Sequence, residues 1–185
     1  MQEVKAGFDY VSVINTHLLK ILEVRSRLHE EGKGIILYNS GTKVVRDSLL
    51  YNIRTYYDHV RSLYAVLLPD LRGKSSYYLD IAYKLILNII KKLRLETKIK
   101  EEVGYLYKES EVEEAKKKLE RVNSKIENLL NNLPEEDLEN IKDIDNHSRI
   151  IYLIDRGLEE IITKLNNAGL LMRSNKISKS PIEQT

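Results

Sequence analysis

The chain has 185 residues, of which 42% are hydrophobic and 31% charged, with 3 Pro, 8 Gly and no Cys. That is enough apolar material for a core and too much for a disordered chain, and the missing Cys excludes disulfides, thiolate catalysis and cysteine-based zinc or iron–sulfur sites. The net charge of +2 is unevenly spread: five basic and five acidic residues in 1–42, twelve and five in 43–100, thirteen and eighteen in 101–185, so that 0, +7 and −5 sum to +2.

The N-terminus, Met1-Gln2-Glu3-Val4-Lys5, is polar and carries no apolar signal core. The most apolar stretch, Tyr77 to Ile90, is interrupted by Asp80, Lys84 and Asn88. It is too short and too polar to span a bilayer. The expectation is a cytoplasmic protein with no membrane segment.

A first helix is predicted from about Asp9 to Glu31. Val11, Ile14, Leu18, Ile21 (or Leu22), Val24 (or Arg25) and Leu28 recur at three- and four-residue steps, which is one helical face. Gly32 and Gly34 stop it, and Gly34 to Gly41 reads as a packed connector. A second helix is predicted from Thr42 to Leu68. Its stripe is Val45, Leu49, Ile53, Tyr56, Val60, Tyr64 and Leu67. Pro69 should end it, because the residue before a proline is pushed out of the helical region. Leu71 to Lys74 reads as a turn.

Ser75 or Ser76 can cap a third helix reaching about Lys100. Leu79, Ala82, Tyr83, Ile86, Ile89, Ile90 and Leu93 form its expected core face, and Gly104 marks a break. Ser110-Glu111-Val112-Glu113 has the form of a capping box. From there Val112, Ala115, Leu119, Val122, Ile126, Leu129 and Leu133 make a heptad seam of about three repeats. Pro134 is expected at the first position of a short helix, with Glu135, Glu136 and Asp137 on the positive end of its dipole. A last helix is predicted over Asn146 to Asn167 with the stripe Ile151, Ile154, Leu158, Ile161, Leu165 and Ala168, ended by Gly169.

These elements predict an all-α fold: an antiparallel helical bundle of five to six helices, one of them long and heptad-patterned. Residues 1–172 read as a single helical domain, with a basic, Tyr-rich part over 43–100 and an acidic, heptad-containing part over 101–172. Residues 173–185 read as a flexible polar tail.

Five features bear on function. The basic middle also holds seven of the twelve Tyr. Lys and Arg there suit phosphates, and Tyr suits stacking on unpaired bases. Arg46, Arg72, Lys74, Lys84, Lys91, Lys92, Arg94 and Lys98 are the candidate binding residues, with nucleic acid or an acidic protein as partner. Equally, Tyr56, Tyr64 and Tyr83 fit core stripes, and the late cations of the third helix fit the negative end of its dipole.

Arg54-Thr55-Tyr56-Tyr57-Asp58-His59 resembles the Arg-four-residues-His motif of the HEPN ribonucleases, which are compact helical bundles. The resemblance covers six residues and implies His59 and Arg54 acting on the RNA 2′-hydroxyl and phosphate across a dimer interface. Thr55 departs from it, standing where that family often has Asn, Asp or His. The alternative for the same residues is a surface ion-pair ladder of Arg54, Asp58 and Arg61.

The seam residues Val112, Leu119, Val122, Ile126, Leu129 and Leu133 could pair with a partner helix or a second copy, giving a homodimer, or pack within the bundle. Asp143-Ile144-Asp145-Asn146-His147 reads as a loop and cap rather than a metal site. Gly34 to Lys43 lacks the spacing of a phosphate loop. No cofactor or metal is implied. The functional expectation is a non-enzymatic interaction module or small accessory subunit of a larger assembly. A HEPN-like ribonuclease and a protein scaffold without a nucleic-acid role are the alternatives.

Overall fold

A computed structural model describes residues 11–28, 43–71, 76–100, 109–167 and 169; for 43–48 and 67–71 it describes the backbone alone. Among these residues the fold is all-helical: α1 (residues 11–28), α2 (Lys43–Leu71), α3 (Tyr77–Lys100), α4 (Glu109–Asn131), α5 (Glu135–Ile141) and α6 (Asn146–Asn167). No described helix is long and apolar enough to cross a membrane. The expected connector over 34–41, the break at Gly104 and the tail over 173–185 lie outside the described residues, as does the turn expected over Leu71 to Lys74 apart from Leu71, which ends α2.

The chain divides into two compact units. One comprises Met1–Asp80 with His147–Thr185, and the other Ile81–Asn146. The boundary between Asp80 and Ile81 therefore falls inside α3, not at the change of charge near residue 100.

In the first unit, α1 buries Ile14, Leu18, Ile21, Val24 and Leu28, the expected stripe. Helix α2 buries Leu49, Ile53, Tyr56, Val60 and Tyr64, and widens the stripe with Leu50, Tyr57 and Leu63. Helix α6 is covered more broadly than one stripe: Ile150, Leu153, Ile154, Asp155, Gly157, Leu158, Ile161, Ile162 and Leu165 are all buried. At about 100° per residue these nine span roughly 200° of its circumference, so α6 is a central helix. Ile151, the first residue of the expected stripe, is only half-buried, whereas its neighbour Ile150 is fully buried.

Two charged residues sit within this apolar surround. The Arg25 Nε and Nη2 donate to the two carboxylate oxygens of Asp155 at 2.8 and 2.9 Å. The Tyr56 hydroxyl donates to Asp155 Oδ1 at 2.5 Å. One carboxylate on α6 thus ties α1 and α2 together. Burial pulls the Arg25 guanidinium down, but the hydrogen bond and charge of Asp155 outweigh it and hold Arg25 above its ordinary value. Burial first, then the Asp155 charge, pushes the Tyr56 hydroxyl well above the usual tyrosine range.

The two buried tyrosines of α2 therefore differ in a measurable way. The Tyr64 hydroxyl is buried and has no hydrogen-bond partner among the described residues, and burial raises its pKa. Tyr64→Phe is expected to leave stability unchanged or slightly higher, because it removes a buried group that gains nothing. Tyr56→Phe is expected to cost about 1.5–3 kcal/mol, the range for a bond to a charged acceptor. Because Tyr56 ionises later in the folded than in the unfolded chain, stability is full below about pH 10 and falls as pH climbs through and beyond it. Urea unfolding of both variants at neutral and alkaline pH checks this; equal losses in the two would refute the distinction.

Ser76 caps α3 as the sequence suggests. Its carbonyl accepts the Asp80 amide at 3.1 Å and its hydroxyl accepts the Leu79 amide at 3.4 Å. The same turn packs against Gly157 of α6. A Cβ on Gly157 would lie 2.7 Å from Leu79 Cγ and 2.8 Å from its Cδ2, and Leu79 is fully buried. Gly157→Ala should therefore destabilise by about 1–3 kcal/mol through overpacking. That exceeds the helix propensity gained, at most about 1 kcal/mol. A higher urea midpoint for the variant would show that Leu79 yields and the contact is not tight.

In the second unit, Ile81, Ala82, Leu85, Ile86 and Ile89 of α3 are buried, as are Val112, Ala115, Val122, Ile126 and Leu130 of α4. Of the expected seam, Val112, Ala115, Val122, Ile126 and Leu133 are buried, Leu119 and Leu129 are half-buried, and Leu130 is buried in place of Leu129.

Several local expectations are corrected. Tyr83 is 47% exposed, and Ile90 and Leu93 are half-buried, because the buried face of α3 is centred on Ala82, Leu85, Ile86 and Ile89. Helix α2 runs on through Pro69 to Leu71: near a helix end a proline forfeits one hydrogen bond without breaking a long ladder. Ser110 lies in the first turn of α4 behind Glu109 and does not precede the helix, so the capping-box reading fails. Pro134 is the residue before α5, not its first, and its carbonyl accepts the Leu138 amide at 3.1 Å. Gly169 has φ 69° and donates to the Asn166 carbonyl at 3.1 Å, the expected left-handed stop for α6.

Candidate nucleic-acid interface

The strongest concentration of one charge in the second unit lies along the groove between α3 and α4. Helical spacing creates its two walls. Lys84, Asn88, Lys91 and Leu95 follow one another on α3 at four-, three- and four-residue steps, with Arg94 alongside. Lys118, Arg121, Lys125 and Asn128 do so at the facing edge of α4, and Asn132 follows in the turn just after it.

The groove has two depressions. One, of about 370 Å³, is lined by Lys91, Arg94, Leu95, Lys118, Arg121, Val122 and Lys125. The other, of about 260 Å³, is lined by Lys84, Asn88, Lys125, Asn128, Leu129 and Asn132. The N-terminal part of α3 thus meets the C-terminal part of α4 and the reverse, so the two helices run antiparallel. The floor is apolar, from Leu95, Val122 and Leu129, and the rims are cationic or amide. No carboxylate lines either depression.

Six cations line the groove: Lys84, Lys91, Arg94, Lys118, Arg121 and Lys125. Lys118 has an exposed partner in Glu114 at 3.4 Å, a pair worth little in water. For the other five no ion pair is found among the described residues. On the outer side of α4, Lys117, Arg121, Ser124 and Lys125 border a further shallow depression of about 560 Å³, where Glu120 adds one carboxylate. The groove is therefore a strip of positive charge over an apolar floor, with Lys118 alone of the six in an ion pair found among the described residues.

Of the eight cations singled out from sequence, Lys84, Lys91 and Arg94 line the groove. Lys92 lies off it and approaches Glu96 at 4.0 Å. Lys98 is half-buried farther along α3. The side chain of Arg46 and the whole of Arg72 and Lys74 lie outside the described residues. Sequence reasoning missed Lys118, Arg121 and Lys125. Their signal is a three- and four-residue spacing beside the seam, masked by the −5 balance of the segment that carries them.

Arg54 is exposed and His59 half-buried on α2. Five residues apart on one continuous helix, they are about 140° apart around its axis. The expected ladder does not close: no ion pair joins Arg54, Asp58 and Arg61 among the described residues, and Arg61 instead lies over the Tyr64 ring, 5.4 Å from its centroid. Exposed ion pairs gain too little to hold such a geometry. Asp145 immediately precedes α6, and among the described residues no three His, Asp or Glu are grouped to hold a metal ion.

No protein family, curated protein or solved structure matches this chain.

Proposed function

We propose that this protein is a non-enzymatic helical binding module whose α3–α4 groove receives the phosphate backbone of a nucleic acid. The observation that carries the reading is the row of six groove-lining cations with no carboxylate among them. Each phosphate met by a Lys or Arg releases condensed counterions, so such a strip binds a polyanion without reading its sequence. The apolar floor and the amides of Asn88, Asn128 and Asn132 can contact sugars and bases.

The test is binding of labelled RNA and DNA by the full chain between about 50 and about 200 mM salt. With six contacts to a single strand, log K should fall against log salt with a slope of up to about −4. Absence of binding at the lower salt would overturn the reading and leave a protein-partner scaffold in its place. The RNA is run on a gel afterwards and should be intact. Cleavage lost in His59→Ala would replace the reading with the HEPN-like one.

A further inference from the structure

We infer that the groove selects RNA over DNA, with Asn88 and Asn128 taking the ribose 2′-hydroxyl beside phosphates that the lysines hold. This rests on the groove being a nucleic-acid interface, and adds which nucleic acid it takes.

The two depressions differ in the chemistry they offer. The polar side chains of the first are all cations, Lys91, Arg94, Lys118, Arg121 and Lys125. Those side chains donate hydrogen bonds and cannot accept them. The second sets three amides, Asn88, Asn128 and Asn132, beside Lys84 and Lys125. An amide accepts as well as donates. Its acceptor adds nothing to the binding of an ionised phosphate, which has no hydrogen to give. A hydroxyl gives one hydrogen bond and takes others, and the 2′-hydroxyl is the group by which a protein tells RNA from DNA.

Asn88 is oriented for that use. Its Nδ2 donates to the Lys84 carbonyl at 2.8 Å. A carbonyl only accepts, so the contact fixes which way round the amide sits and leaves Oδ1 as its accepting end. Among the described residues nothing donates to that oxygen. Asn128 lines the same depression from α4 and is exposed.

The order of residues along the walls fits the polymer. On α3, Asn88 stands between Lys84 and Lys91, which are about 10 Å apart along the axis. On α4, Asn128 follows Lys125 by three residues. Amide and cation are neighbours in each wall, as sugar and phosphate are neighbours in the ligand. Base edges also carry donors, but these differ from base to base. The 2′-hydroxyl recurs at every nucleotide, so a site that holds phosphates without regard to sequence meets it wherever the chain lies.

The experiment compares oligouridine with oligodeoxyuridine of equal length, which have the same bases and phosphates and differ in the 2′-hydroxyl. Wild type and the double variant Asn88→Ala with Asn128→Ala are titrated with each over a range of salt. Alanine favours a helix, and circular dichroism verifies the fold. Wild type is expected to bind oligouridine about fivefold more tightly, the gain of one hydrogen bond. The double variant should bind both oligonucleotides alike, at the wild-type level for oligodeoxyuridine. Its salt slope should not change, because no cation is removed. Salt-sensitive binding with equal affinity for the two in wild type, or an equal loss for both in the double variant, overturns the inference while the groove reading stands. No salt-sensitive binding of either overturns both.

Discussion

Asp155→Ala is expected to destabilise the protein by about 3–5 kcal/mol, the largest loss from any single substitution considered. The carboxylate accepts three hydrogen bonds, two from Arg25 and one from Tyr56. Arg25 is 5% exposed and Tyr56 fully buried. Removing the carboxylate leaves a guanidinium with no counter-charge and a hydroxyl with no acceptor, both out of reach of water. The guanidinium cannot neutralise itself, because an arginine does not lose its proton in a protein, and the neutral hydroxyl has lost its acceptor. The unfolded chain solvates both groups freely, so the whole penalty falls on the fold.

A control separates the loss of pairing from the loss of packing. Arg25→Met with Asp155→Leu and Tyr56→Phe replaces the network by apolar groups of similar size and should recover most of the stability. Urea unfolding of the single and triple variants reads the difference. If Asp155→Ala loses under about 1 kcal/mol, water reaches the site and the network is not the tie between α1, α2 and α6 described above.

Reversing four groove cations, Lys91→Glu, Arg94→Glu, Arg121→Glu and Lys125→Glu, is expected to weaken single-strand binding by about 200-fold or more at physiological salt. The estimate comes from counterion release. Each phosphate contact contributes about 0.7 times the negative logarithm of the salt concentration, or about 0.6 log units at about 0.15 M. Four lost contacts give about 2.3 log units, before repulsion from the new carboxylates. The salt slope should shrink by about 3 at the same time.

All four side chains are exposed, so the melting temperature should move little. Lys118 is left in place because Glu114 already compensates it. The same number of reversals among Lys20, Arg27, Arg54 and Arg61, exposed cations of the other unit, controls for net charge. Equal losses in both sets would mean that binding follows total charge and that the groove has no special part in it.

Much of the fold was legible in the residues. The three- and four-residue spacing of Ile14, Leu18, Ile21 and Leu28 predicted the buried face of α1. Asn146, Asn167 and Gly169 delimited α6 where its ladder begins and ends. Helical periodicity and caps are local properties, set by 3.6 residues per turn and by the few residue types that tolerate a helix end. The groove was half legible. Lys84, Lys91 and Arg94 stood out because their segment is basic, but Lys118, Arg121 and Lys125 were hidden in a segment whose balance is acidic.

What the chain alone determined, then, is that it is helical, about where its helices lie and most of the stripes that α1 and α2 bury, because those follow from contacts between near neighbours. Only the tertiary structure decided that Arg25 and Asp155, 130 residues apart, form one buried pair. It alone set the α4 seam on Leu130 in place of Leu129, left Tyr83 facing water, and brought cations from a basic and an acidic segment to one groove. The reason is physical: charge sums average over sequence, whereas binding acts on the charges that packing places side by side.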